Sequence, residues 1–227
     1  MPRLARLTIP GLPHHVTQRG NRRQPVFFHP DDRQTYLRLL LEQTRRYRVA
    51  ILAYCLMDNH VHFIATPQDA QGLARAFGET HRRYTTLING REGWSGYLWQ
   101  GRFASFPMEE QHLYAATRYV ERNPVEAGMV KCAEDYPWSS ARAHMSGTHD
   151  PILAPHPLQA AIQDWSAFLQ QEAEEFEKTA IAHARTGRPL GDTGFVKQLE
   201  QLTGRQLQKQ KVGRKPKLVL CPLIREE

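Results

Sequence analysis

The run from Ile51 to Pro67 constrains the chain more than any other stretch. Two apolar, strand-length segments stand back to back there around the polar hinge Met57-Asp58-Asn59. Apolar runs of this length on either side of a turn read as two strands buried in one sheet. Side chains alternate along a strand, so His60 and His62 point to one face while Val61 and Phe63 enter the opposite layer. Two imidazoles held on one face by rigid backbone can grip a metal ion. In a chain with eleven histidines such a pair also arises by chance, so its meaning rests on what the fold brings to it.

The flanking segments supply a fold. Leu12 to Gln18 reads as a strand ending in the basic turn Arg19-Gly20-Asn21-Arg22-Arg23, where the glycine permits a bend that presents backbone amides to a phosphate. Residues 1–23 hold five arginines and no acid, which favours DNA contact over a merely solvated turn. His29-Pro30-Asp31-Asp32 opens a helix, with proline early and acids at the positive end of its dipole; Tyr36, Leu39, Leu40 and Gln43 continue it to Tyr47. Leu73, Phe77, Thr80 and Tyr84 mark a second helix, and Tyr97 to Pro107 a fourth strand. Strand, helix, strand, strand, helix, strand is an α+β, ferredoxin-like (split βαβ) arrangement: an antiparallel sheet with both helices on one face.

A third helix is expected from near Met108 to Asn123, stopped by Pro124, with Leu113, Ala116, Thr117 and Val120 facing the sheet or its neighbours. Tyr119 and Asn123 lie one turn apart and project together. Tyr136 to Ser140 follows as a return that packs its aromatics on the core. Composition changes near 144–150, so residues 1–150 are expected to form the main domain. Residues 151–227 read as a helical, basic extension contacting DNA, with a short helix burying Phe195, Leu199 and Leu202.

A net charge of +7 and a pI near 9.5 favour a polyanionic partner, most simply nucleic acid. Cys55, Cys132 and Cys221 are scattered and odd in number, which argues against a disulfide framework and for a reducing cytosol. No apolar run approaches the roughly 20 residues that span a bilayer, so the expectation is a cytoplasmic protein without membrane contact.

If the third helix packs beside the histidine strand, two imidazoles, the Asn123 amide and the Tyr119 phenol converge. Mg²⁺ or Mn²⁺ can take His60, His62 and Asn123 and leave positions open for phosphate oxygens, with Asp58 a rival third ligand. A nearby cation and arginines favour the phenolate form of Tyr119, whose attack on a phosphate leaves a covalent phosphotyrosine and a free hydroxyl. The rival nucleophile Tyr114 lies about 140° around the helix and lacks an Asn or Gln four residues on.

Three blocks make this specific. Met57-Asp58-Asn59-His60-Val61-His62, Leu98-Trp99-Gln100-Gly101-Arg102-Phe103 and Arg118-Tyr119-Val120-Glu121-Arg122-Asn123-Pro124-Val125 resemble the signature blocks of the REP-associated tyrosine transposases. That group lies within the single-tyrosine, His-hydrophobic-His (HUH) superfamily, and the likeness spans about residues 10–145. It implies His60, His62 and Asn123 as metal ligands and Tyr119 as nucleophile; insertion-sequence relatives usually carry glutamine where Asn123 stands. It also implies a single-stranded DNA substrate folded into a REP-like hairpin and cut near its foot. Arg19, Arg22, Arg23 and Arg102 would neutralise phosphates there, and Trp99 would stack on an unpaired base or pack in the core. By the same likeness the protein is bacterial, nucleoid-associated when bound to DNA, and a monomer or a homodimer.

Two other readings remain at this point. One is a non-catalytic module of ferredoxin-like fold that binds structured nucleic acid; the other is a metal phosphoesterase with no covalent step.

Overall fold

The computed structural model describes residues 6–171 and 174–209. Four strands, β1 (His14–Arg19), β2 (Val49–Leu56), β3 (His60–Pro67) and β4 (Ala104–Pro107), form one sheet in the order β2-β3-β1-β4. Every pairing is antiparallel, as the split βαβ order demands. The two crossovers are α1 (Asp32–Arg46) and α2 (Gly72–Glu92).

Alternation sorts the residues into two layers. Val16, Tyr54, Leu56, Val61 and Phe63 face α1 and α2, where they meet Tyr36, Leu40, Phe77 and Tyr84. Cys55, Ile64 and Phe106 face the other way, toward α3 (Leu113–Glu126), α4 (Ala141–Ser146), α5 (Trp165–Gln170) and α6 (Glu174–Thr186). A bulge places Leu52 as an extra residue between the Ile51–Ala65 and Ala53–Ile64 pairs, so Leu52 and Ala53 both join the α3 side. Asp32 locks the helical layer: it accepts from the Phe28 and His29 amides at 2.7 and 2.9 Å and pairs with Arg91 of α2 at 2.5 Å.

Three expectations are corrected. The fourth strand covers only Ala104–Pro107; the chain from Tyr97 to Phe103 is irregular, bridged to β1 at Gly20–Trp99 and bent at Gly101, whose φ is +80°. Pro124 does not end α3, which runs to Glu126. The ring removes one donor, but the Ala127 amide still reaches the Asn123 carbonyl at 3.0 Å and the turn completes. In α7 (Thr193–Thr203) Leu199 is buried beside Leu7, Ile9 and Leu207, whereas Leu202 is 70% exposed on the opposite side.

Beyond residue 150 the chain stays on the same body. Phe168, Phe176, Ala180 and Leu190 share a cluster with Ile64 and Val120. Leu190 exchanges backbone bonds with the Pro107 carbonyl (2.9 Å) and the Glu109 amide (2.8 Å). At the other side of the sheet, the Leu56 amide donates to the Trp138 carbonyl at 2.9 Å and the Ala154 amide to that of Ile51 at 2.8 Å. Of the basic stretch 183–217, read from the sequence as a second nucleic-acid contact, the part from Gln210 onward lies outside the described residues. No helix among the described residues is long and apolar enough to cross a membrane.

Candidate active site

Because β3 starts at His60, the two histidines occupy its first and third positions on the layer that α3 covers. Their rings sit 4.9 Å apart, nearly perpendicular, and the Tyr119 ring stands edge-on to His62 at 5.4 Å. One turn further along α3, the Asn123 side chain is near enough to act on both His60 and the Tyr119 phenol, and its Nδ2 donates to the Tyr119 carbonyl at 3.2 Å. The fold thus gathers His60, His62, Tyr119 and Asn123, all from one chain.

The hydrogen bonds behind the imidazoles fix which nitrogen faces the centre. Asn59 Nδ2 donates to the Arg23 carbonyl at 3.0 Å, which turns Asn59 Oδ1 toward His60 Nδ1 at 2.6 Å. His60 therefore carries its proton on Nδ1 and presents the Nε2 lone pair. For His62 the partner is a third histidine: His15 of β1, one pair along the ladder on the same face, places Nε2 3.0 Å from His62 Nδ1. His62 Nε2 and His15 Nδ1 are both buried without a protein partner. An unpartnered buried ring nitrogen on a neutral imidazole suits a metal ion when that ring carries its proton on Nδ1.

Burial governs the protonation of the whole group. Desolvation lowers the pKa of His15 to about 3 and, with help from Arg19, that of His60 to about 4. His62 falls well below the usual range through burial, with His60, His15 and Arg19 adding to it. All three are neutral at pH 7, the state a metal ligand needs. From the protein groups alone, burial raises the pKa of the Tyr119 phenol, and the lowering by Asn123 and Arg19 is smaller. Phe176 of α6 lies over the phenol at 5.6 Å, and Glu177 pushes in the same direction.

The other sequence candidates separate. Asp58 pairs its carboxylate with Arg33 and also acts on His60 by charge. Among the described residues no three of His, Cys, Asp and Glu are grouped to hold a metal. Tyr114 lies off the site, 39% exposed, with its ring against Phe168 at 6.3 Å. Trp99 is core: it is 5% exposed and packs on His81 at 4.7 Å, so it offers no face to a base. Arg19, Arg22, Arg23 and Arg102 are exposed, and Arg19 stands opposite His60 in the β1–β3 register.

The amides of the basic turn do not point at a ligand. Gly20 donates to the Asn59 carbonyl and Asn21 to that of Leu98, each at 2.8 Å. Gly20 is required by closeness, since a Cβ there would lie 2.1 Å from the Gln24 carbonyl oxygen. Sequence reading missed His15 and Asn59. The signal for His15 was present: of two consecutive histidines on a strand beside β3, one must share the face of His60 and His62.

No curated protein matches the chain. Among solved structures, it is similar to a REP-associated tyrosine transposase bound to a REP hairpin, at 22% identity and a TM-score of 0.56, over 68% of this chain and 92% of that one. It is similar more loosely to a candidate transposase from Deinococcus radiodurans R1, at 18% identity and a TM-score of 0.37, over 53% of this chain and 96% of that one. The model of the IS200-like transposases matches residues 8–123, from before β1 through the Tyr119–Asn123 turn. The chain belongs to the IS200-like transposase family.

Proposed function

We propose that this transposase is of the REP-associated type: a metal-dependent HUH endonuclease and strand transferase that cuts single-stranded DNA beside a hairpin. The observation that carries the reading is the junction of α3 with β3, where the Tyr119 ring stands edge-on to His62 at 5.4 Å and Asn123 lies one turn on, beside His60. His60 Nε2, His62 Nε2 and the Asn123 oxygen would hold Mg²⁺ or Mn²⁺. A bound divalent ion supplies Lewis-acid polarisation of the scissile phosphate and favours ionisation of a nearby phenol. Tyr119 Oη then attacks phosphorus in line: the Oη–P bond forms, the bond from phosphorus to the 3′ oxygen breaks, and the phenolic proton passes to solvent. The DNA is left as a 5′-phosphotyrosine and a free 3′ hydroxyl, and attack by another 3′ hydroxyl returns Tyr119 and rejoins the strand. His15 is a positioning residue that selects the His62 tautomer with Nε2 free.

The site is complete within one chain, which supports a monomeric enzyme; elution with an in-line mass measurement should give one chain of 26.2 kDa. A binding module of the open-sheet type would display aromatics on an uncovered face. Here both faces are covered by helices, and His62 is buried against the Tyr119 ring. End-labelled hairpin DNA incubated with Mn²⁺ decides among the readings. A denaturation-resistant adduct lost in Tyr119→Phe is expected. Cleavage without adduct would mean a hydrolase, and an adduct that persists in Tyr119→Phe would refute the nucleophile assignment.

A further inference from the structure

Away from Tyr119, the β1–α1 turn and the loop after α2 enclose a cavity of about 580 Å³ lined by Asn21, Arg22, Phe28, Asn89, Trp94 and Tyr97. Its aromatics are open to water: Trp94 is 50% exposed, Tyr97 85% and Phe28 37%. Neighbouring exposed rings of this size mark a surface that something covers.

The cavity is also held in shape. Phe28 braces Trp94 edge-to-face at 5.1 Å, and the loop is pinned by Asn89, whose Nδ2 donates to the Gly96 carbonyl at 3.0 Å and whose carbonyl accepts from the Trp94 amide at 2.9 Å. On the opposite wall Arg22 and Arg23 are consecutive non-glycine residues at φ +53° and +62°. Such conformations persist only where the surroundings impose them, and they cluster at ligand sites. Asn59 holds the Arg23 carbonyl, and the Gln24 amide bonds to the Asn21 carbonyl at 3.0 Å. Glu92, at the end of α2, is engaged by Arg91 at 2.7 Å and faces His29 at 3.5 Å, which reduces its repulsion of an anion.

We propose that this cavity binds unpaired nucleotides of the DNA substrate, with bases stacked on Trp94 and Tyr97 and a phosphate on Arg22. Every base has a π face, so two exposed rings beside a guanidinium suit a single strand better than a duplex. Asn21 lies two residues past Arg19, roughly 7 Å along an extended chain, so a strand leaving the His60 level reaches the cavity directly. The inference rests on the reading of the protein as a single-stranded DNA transposase, but its test needs no cleavage.

Binding is measured by fluorescence anisotropy in the Tyr119→Phe background with three probes: a DNA hairpin carrying a short unpaired flank, the same hairpin blunt, and the flank alone. Tyr97→Ala and Trp94→Ala are each expected to weaken binding of the flanked hairpin and of the free flank by roughly 5- to 30-fold, leaving the blunt hairpin unchanged. Tyr97 touches little, and circular dichroism checks that Trp94→Ala remains folded. Equal losses on flanked and blunt hairpins, no loss on either, or preference for an RNA flank over the DNA one would each overturn the proposal. Failure of the adduct assay with this binding pattern intact would instead remove only the nucleophile assignment.

Discussion

Glu121, two residues past Tyr119 on α3, has no access to solvent, and its carboxylate is where three donors from α4, its N-cap and α5 are tied to that helix. It accepts from His144 Nδ1 of α4 at 2.6 Å, from Trp165 Nε1 of α5 at 2.8 Å, and from the Ser140 hydroxyl. Glu121→Ala leaves three buried donors facing a void. Breaking a buried charged network by removing one member destabilises by about 3–5 kcal/mol. In a chain of this size about 2–4 °C of melting temperature is lost per kcal/mol, so the variant should melt roughly 6–20 °C below the parent. Glu121→Gln keeps the shape but sets an amide NH₂ against one of the three donors, a loss of about 1–3 kcal/mol. Thermal melts followed by circular dichroism at pH 7 read both variants. If the alanine variant melts within about 3 °C of the parent, or if the two variants fall equally, the carboxylate is not the tie described here.

Three further outcomes follow from the buried rings. His14, His81 and His156 have folded-state pKa values lowered by burial to about 4, 3 and 3, against 6.5 when exposed. Between those limits the unfolded chain binds protons that the folded one refuses, so stability should be full above pH 6.5 and fall as pH drops toward 4. The slope reaches about 1.4 kcal/mol per pH unit for each histidine, and a melting temperature flat from pH 7 to 5 would contradict it. His15→Ala should weaken Mn²⁺ binding by roughly 10- to 100-fold in calorimetry without altering the ligands themselves, and an unchanged affinity would remove its positioning role. Phe176→Ala lets water reach Tyr119, so the phenol should titrate closer to its ordinary value in ultraviolet difference spectra against Tyr119→Phe; an unmoved transition would mean that something else buries it.

The sheet was legible because period-2 alternation and two helical stripes leave few ways to fold. His60 and His62 followed from alternation, and Tyr119 with Asn123 from one turn of helix. Trp99 was ambiguous because an aromatic beside Gly101 belongs to the core or to a ligand according to how that glycine bends, which no periodicity records. Glu121 falls four residues after Thr117, on the very stripe that faces inward, yet a charge there reads as surface until its three donors, drawn from distant segments, are in place. The open aromatics Trp94 and Tyr97 lie in a loop, where a sequence pattern says nothing of exposure.

Both borders of the sheet carry backbone partners from elsewhere in the chain: residues 138–140 and 153–154 along β2, and Leu190 beside β4. An uncovered border strand is a template on which another chain can pair and grow into aggregates. Here backbone bridges at Leu153 and Ser139 on β2, and at Leu190 just past the end of β4, interrupt both borders. A chain cut before residue 186 would lose the Leu190 bridge at the β4 border and should aggregate more readily than the full chain.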